Sequence, residues 1–160
     1  VKELVWQIKF KNNKKLARLA AELLYDQMIN FLEEYGNYSS FEKPIIIPVP
    51  LSKGRLKERG YNQSLVIAEE IVEIDKGNNF ELITGAVTKI KETTPQTSLK
   101  KAEREKNVIG CFAATSPKTV RGRNIIILDD VYTTGSTINE IRKILIEAGA
   151  KKVIGFTLAH

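Results

Sequence analysis

Apolar residues recur at three- and four-residue steps through Leu16, Leu19, Ala20, Leu23, Leu24, Met28, Phe31, Leu32 and Tyr35, the spacing of one helix face, so a helix is predicted over 16–35. Polar residues at 36–43 break the pattern. IIIPVP at 45–50 then reads as a short buried strand, closed by prolines that cannot donate to a ladder. A second helical pattern covers 62–74, where Leu65, Ala68 and Val72 overlap Ile67, Ile71 and Ile74, and Gly77, Asn78 and Asn79 end it. Weaker strand patterns follow at 80–83 and 86–90. Residues 92–107 hold one large apolar side chain, Leu99, and read as a mobile, ligand-ordered loop. A strand pattern at 109–113 leads to the basic turn PKTVRGR at 117–123 and then to IIIL at 125–128. That run does not alternate, as expected of a strand buried on both faces of a parallel sheet. The next helix starts near Ser136, with Thr137 and Glu140 spaced as a capping box, buries Ile138, Ile141, Leu145 and Ala148, and ends at Gly149. A last strand at 153–158 completes a β, α, β order, which calls for a parallel sheet joined by a right-handed crossover. The predicted fold is α/β: a single domain over residues 1–160, with a central, mostly parallel sheet flanked by helices.

Composition narrows the chemistry. The 160 residues are 42% hydrophobic and 28% charged, which is ordinary for a globular domain that folds around one core without a disulfide or metal staple. Cys111 is the single cysteine and His160 the single histidine. A Cys/His zinc site, a disulfide framework and a His-dependent triad are therefore excluded within these residues. No apolar run reaches the ~18 residues that span a bilayer, and Lys2, Glu3 and Lys9 interrupt the place of a signal peptide's apolar stretch. The expectation is a cytoplasmic protein without membrane insertion. Its net charge of +6 is uneven: 1–20, 52–62, 88–107 and 117–124 are each net positive and the remaining residues net negative. Four basic clusters suit an anionic ligand, although each taken alone also reads as a solvated face.

The segment IIILDDVYTTGST at 125–137 carries the most specific signal. It places two carboxylates, Asp129 and Asp130, at the carboxyl end of a buried strand, where an open parallel sheet presents its ligand crevice. Small hydroxyl residues and one glycine follow and open a helix. Backbone N–H groups at 134–137 can cup a phosphate there, Gly135 allows close approach, and the hydroxyls of Thr133, Thr134, Ser136 and Thr137 can add donors. The loop contains no lysine and no GxGxxG, so it is neither a Walker A loop nor a dinucleotide turn. A terminal monophosphate fits it better. The paired carboxylates suit sugar hydroxyls or a hydrated magnesium ion, while the purely local reading makes them turn and capping residues.

IIILDDVYTTGST resembles the phosphoribosylpyrophosphate (PRPP) signature of type I phosphoribosyltransferases. More narrowly, PVPLSKGRLKERGYNQS at 48–64, TPQTSLKKAEREKNVIGCF at 94–112 and the closing TLAH at 157–160 are similar to the ComF competence-protein family, itself similar to the phosphoribosyl half of glutamine PRPP amidotransferase. The resemblance implies a type I phosphoribosyltransferase fold with a mobile hood loop at 92–107 and an amino-terminal helical part of the hood at 1–35. It implies ribose binding by Asp129 and Asp130, and 5-phosphate binding by Thr133, Thr134, Gly135, Ser136 and Thr137. A pyrophosphate loop would comprise Leu51, Ser52, Lys53, Gly54 and Arg55, with Arg104 and Lys106 as closing cations. The catalytic positions would be Asp129, Asp130 and Arg104. Mg2+ is the implied cofactor, carried by PRPP rather than held directly by the protein, with Asp129 and Asp130 reaching it through water. ComF proteins often carry an amino-terminal cysteine zinc module, which these residues lack.

Three functions stay open on this reading. One is a phosphoribosyltransferase that displaces pyrophosphate from C1 of PRPP with a nitrogen acceptor. Another is a non-catalytic PRPP-binding competence protein partnered with the DNA-uptake machinery, and oligomeric states are compatible with either. The third uses the basic clusters on single-stranded DNA, with Trp6, Phe10 and Tyr61 as stacking residues.

Overall fold

The structure, a computed structural model, describes residues 14–39, 41–92, 107–131 and 135–159. Its elements in chain order are α1 (Lys14–Ser39), β1 (Ile45–Pro48), α2 (Lys53–Arg59), α3 (Gln63–Asp75), β2 (Glu81–Leu82), β3 (Val87–Lys89), β4 (Phe112–Ala114), the single turn α4 (Pro117–Val120), β5 (Asn124–Val131), α5 (Ser136–Glu147) and β6 (Lys152–Ala159). Four strands form one sheet in the order β2-β1-β5-β6, and every pairing in it is parallel. β3 and β4 form a separate antiparallel pair. The α/β class with a central parallel sheet flanked by helices is therefore the observed architecture.

Strands β1 and β5 carry the core because they are apolar on both faces. Ile45, Ile47, Ile125 and Ile127 point to one layer, where α5 and the β3–β4 pair supply Ile138, Ile141, Leu145, Val87 and Phe112. Ile46, Ile126 and Leu128 point to the other, against Ala20, Ala21, Leu24 and Met28 of α1 and Ile67, Ala68 and Ile71 of α3. Each of the larger side chains among these contributes about 1.5–3 kcal/mol by burial. The segment assigned to an amino-terminal hood thus forms, over its described part, a layer on the sheet's face. Within α1 the contact line runs through alanines, which let α3 approach closely. Leu19 and Leu23, predicted on the inner face, are 47% and 48% exposed.

Other departures have local causes. The strand predicted at 109–113 begins later, at Phe112, because a turn closed by Cys111 N–H on the Val108 carbonyl (3.1 Å) precedes it, and Ile109 faces solvent. The basic turn at 117–123 includes one helical turn with Pro117 in its first position, where the missing N–H costs nothing. Gly155 on β6 faces α5 so closely that an added Cβ would stand 2.7 Å from Ile138 Cγ2.

One buried carboxylate ties α1, α3 and β2 together. Asp75, the last residue of α3 and 1% exposed, accepts hydrogen bonds from Asn79 N–H (2.8 Å), Asn79 Nδ2 (2.8 Å), Phe80 N–H (3.0 Å) and Tyr25 Oη (3.3 Å). Those donors turn the chain from the end of α3 into β2. Asp75→Ala should destabilise the fold by about 3 kcal/mol, since buried donors lose a charged acceptor. Urea unfolding checks this, and a midpoint unchanged from the parent would refute it.

Candidate functional site

The parallel register aligns Ile45 to Pro48 with Ile125 to Leu128, so the loops after β1 and β5 leave the sheet at the same edge. Val49 N–H extends the ladder by donating to the Leu128 carbonyl at 2.9 Å. The Val49 carbonyl accepts from Asn62 Nδ2 (2.9 Å), while Asn62 Oδ1 caps α3 by accepting from Ser64 N–H (3.0 Å) and Leu65 N–H (3.4 Å). One side chain thereby fixes the start of α3 to the end of β1. Next to it, Ser64 Oγ donates to Asp129 Oδ1 at 3.4 Å, and the same oxygen accepts the Asp130 N–H at 2.9 Å. Asp129 and Asp130 are half-buried at the carboxyl end of β5, at the sheet edge the sequence assigned them to. Gln63 is 2% exposed. Its Oε1 accepts from Arg59 at 3.2 Å, and its Nε2 has no hydrogen-bond partner among the described residues.

Beyond β5 the chain enters α5 through Gly135, which stands at the amino-terminal cap with φ 73° and ψ −1°. That left-handed conformation suits glycine and is costly for a residue with a Cβ. Gly135 itself has no side chain with which to cap this end. Ser136 is buried and Thr137 half-buried, while Thr133 and Thr134 lie outside the described residues. The cap position falls on Gly135 rather than on Thr137, which lies inside α5, and Glu140 Oε1 accepts from Gly110 N–H at 2.8 Å, tying α5 to the turn before β4.

The loop after β1 has a different geometry. Ser52, 2% exposed, caps α2 by accepting from Arg55 N–H at 3.3 Å. Its hydroxyl donates to Glu92 Oε2 at 2.6 Å, and Gly54 N–H donates to Glu92 Oε1 at 3.1 Å. Leu51 and Arg55 are half-buried, and Lys53 and Gly54 are exposed. The hydrogen bond from Ser52, then that from Gly54, hold the Glu92 carboxyl below the usual carboxylate range, with the charges of Lys89 and Arg55 adding to the shift.

Lys89 joins this group from β3, although the sequence reading did not single it out. Its ammonium lies 5.6 Å from the centroid of the Phe112 ring, within cation–π range. Burial pulls its pKa down, and Glu92, Arg55 and Asp129 are all close enough to act on its charge. The only signal for it in the sequence was membership of the 88–107 basic cluster. Arg104 and Lys106, and residues 93–106 of the predicted hood loop, lie outside the described residues, as do Trp6 and Phe10. Tyr61 is half-buried. The 117–124 cluster lies at the opposite end of β5, where Arg123 pairs with Glu81 at 2.6 Å, so it takes no part in this edge.

Comparison with known proteins gives the chain a family. The phosphoribosyl transferase domain model matches residues 62–160. The chain is 32% identical to competence protein F of Haemophilus influenzae, over 98% of this chain and 66% of that protein. It is 30% identical to competence protein ComFC of Bacillus subtilis, over 99% and 59%, and 31% identical to DNA utilization protein YhgH of Escherichia coli, over 94% and 63%. The chain therefore spans about three fifths to two thirds of the length of these curated relatives. Among solved structures, glutamine PRPP amidotransferase from B. subtilis, complexed with ADP and GMP, superposes with a TM-score of 0.53 at 19% identity, over 89% of this chain and 26% of that one. A hypoxanthine phosphoribosyltransferase from Trypanosoma cruzi, complexed with IMP, gives 0.51 at 7% identity, over 91% and 73%. At such identities the likeness is one of fold, and it identifies that fold as the type I phosphoribosyltransferase one.

The Glu92 contact carries its own pH signature. Its carboxyl should titrate below a free glutamate side chain when followed by NMR, with the Gly54 amide shifting in step. Because the folded-state pKa is depressed, the contact is complete above the ordinary glutamate pKa and is lost as pH falls through the folded value. Ser52→Ala should move the midpoint back up. A midpoint at or above the ordinary value in the parent protein would show that the two hydrogen bonds do not persist in solution.

Proposed function

The chain belongs to the phosphoribosyl transferase domain family, and from that premise we propose that it binds PRPP at the carboxyl edge of β1 and β5 and transfers its phosphoribosyl group to a nitrogen acceptor. The observation that carries this reading is the Asp129–Asp130 pair at the end of a buried parallel strand, followed by a left-handed Gly135 that opens α5. In it, the carboxylates accept hydrogen bonds from the ribose hydroxyls. Backbone N–H groups from Gly135 to Thr137, with Thr133 and Thr134, take the 5-phosphate at the positive end of α5. Leu51, Ser52, Lys53, Gly54 and Arg55 take the diphosphate, helped by Lys89 and by Arg104.

Magnesium fits this arrangement as a passenger of the diphosphate. No group of three or more His, Cys, Asp or Glu that could hold a metal ion is present among the described residues, while two adjacent half-buried carboxylates suit a hydrated ion at second hand. When bound, the ion neutralises diphosphate charge. The protein's own share is positioning and electrostatics. The acceptor nitrogen's lone pair forms the bond to C1 as the C1–O bond breaks, pyrophosphate leaves with that electron pair, and the acceptor gives up a proton. Lys53, Arg55, Lys89 and Arg104 would oppose the charge that builds on the departing oxygens.

A second reading is supported by the relatives' names, competence protein and DNA utilization protein. In it the same edge binds PRPP without turnover and its occupancy serves DNA uptake. The two readings separate on one measurement, pyrophosphate release from PRPP and magnesium in the presence of a panel of nucleobases and amines. Release that depends on one acceptor is the expected result for an enzyme, and binding without release with any of them would favour the second reading. Under both, Asp129→Asn combined with Asp130→Asn should weaken PRPP binding by about a hundredfold, the loss of two charge-assisted hydrogen bonds. Circular dichroism should stay unchanged, and titration calorimetry reads the affinity. Normal binding by the folded double variant would remove these residues from the site.

A further inference from the structure

The Glu92 carboxylate sits on the groups that the proposed function assigns to the diphosphate. Its Oε2 takes the Ser52 hydroxyl and its Oε1 the Gly54 N–H, at 2.6 and 3.1 Å. Lys89 and Arg55 are close enough to act on its charge. This is a crossing contact: Glu92 lies 40 residues from Ser52 and beyond the end of β3. Ser52 accepts the Arg55 N–H, so Glu92 answers a different N–H of the first turn of α2, that of Gly54. The fit is also steric. A Cβ at Gly54 would stand 2.8 Å from Glu92 Oε1, so the absent side chain makes room for an anionic oxygen at this spot. Two oxygens on one carbon, held by a hydroxyl and a backbone N–H near two cations, mimic two oxygens on one phosphorus.

Resting on the PRPP-binding reading above, we propose that Glu92 is a built-in competitor for the diphosphate subsite, occupying Ser52 and Gly54 in the unliganded protein and giving way only to a ligand that makes more of the same contacts. A single monovalent anion gains little over the carboxylate already there. Magnesium pyrophosphate, or the diphosphate of PRPP with its ribose and 5-phosphate engaged as well, gains enough to displace it. The apparent affinity is then the intrinsic one reduced by the fraction of molecules in which the carboxylate is off the loop.

The test is titration calorimetry of magnesium pyrophosphate and, separately, ribose 5-phosphate into the 160-residue chain and its Glu92→Ala and Glu92→Asp variants. Glu92 is exposed, so neither variant threatens the core. Glu92→Ala should bind pyrophosphate about three- to tenfold more tightly, as expected when a subsite mostly occupied by an internal group is vacated, with ribose 5-phosphate affinity unchanged. Glu92→Asp keeps the charge but is one methylene too short to reach both donors, and it should follow Glu92→Ala. In the ligand-free variants the Gly54 amide should also exchange with solvent faster. Pyrophosphate affinity in Glu92→Ala equal to or below the parent's would overturn the competitor while leaving the site reading intact. Parental affinity in Glu92→Asp beside tighter binding in Glu92→Ala would also overturn it, because charge alone would then explain the effect. Failure of parent and variants alike to bind pyrophosphate or PRPP would remove the site reading itself, and the competitor with it.

Discussion

The parallel pairing of β1 with β5 is the constraint on which the rest of the molecule depends. Isoleucines buried on both faces of both strands must be covered by two separate layers, which fixes α1 and α3 on one side and α5 with the β3–β4 pair on the other. A parallel pair also sends both strands out of the sheet at one edge. The loop capped by Ser52 and the turn that follows Asp129 and Asp130 are neighbours for that reason alone, although they come from opposite halves of the sequence. Hydrophobic burial thus sets the geometry of the polar edge, and Asn62, bridging the Val49 carbonyl and the start of α3, secures it locally.

Charge is sorted by the same topology. The 52–62 cluster meets Lys89 of the 88–107 cluster at the carboxyl edge, while Arg121 and Arg123 stand at the amino-terminal end of β5, roughly 20 Å away at ~3.3 Å per residue. Over that distance about two and a half Debye lengths at physiological ionic strength separate an exposed cation from the edge. The far group therefore contributes ordinary surface pairing, as Arg123 does with Glu81.

Features set by local pattern were legible in the sequence. IIIL at 125–128 could be read as a doubly buried strand because it lacks alternation, and the two carboxylates after it could be placed because a strand's end dictates where they emerge. Gly135 was marked by the helix that begins behind it. Features made by distant partners were not legible. Thr137 and Glu140 had the spacing of a cap, but Gly110 offers Glu140 a backbone donor that no local rule reveals. Leu19 and Leu23 shared the apolar period of α1, yet the small side chains of Ala17, Ala20 and Ala21 permit closer contact and took the buried line. Glu92 on Ser52, and Lys89 over Phe112, depend on where β3 and β4 fold back, which the chain order leaves undetermined.

The closeness of Gly155 to Ile138 has a consequence for the geometry of this edge. Ile138 lies in the first turn of α5, three residues after Gly135, and it rests where a β6 side chain would otherwise stand. Any larger residue at 155 must push that turn away from the sheet, and the backbone N–H groups just before it would swing with the helix. Position 155 therefore acts as an aiming screw for the mouth of α5, through which a substitution on β6 would redirect the N–H groups of the proposed phosphate cup without altering any of its residues.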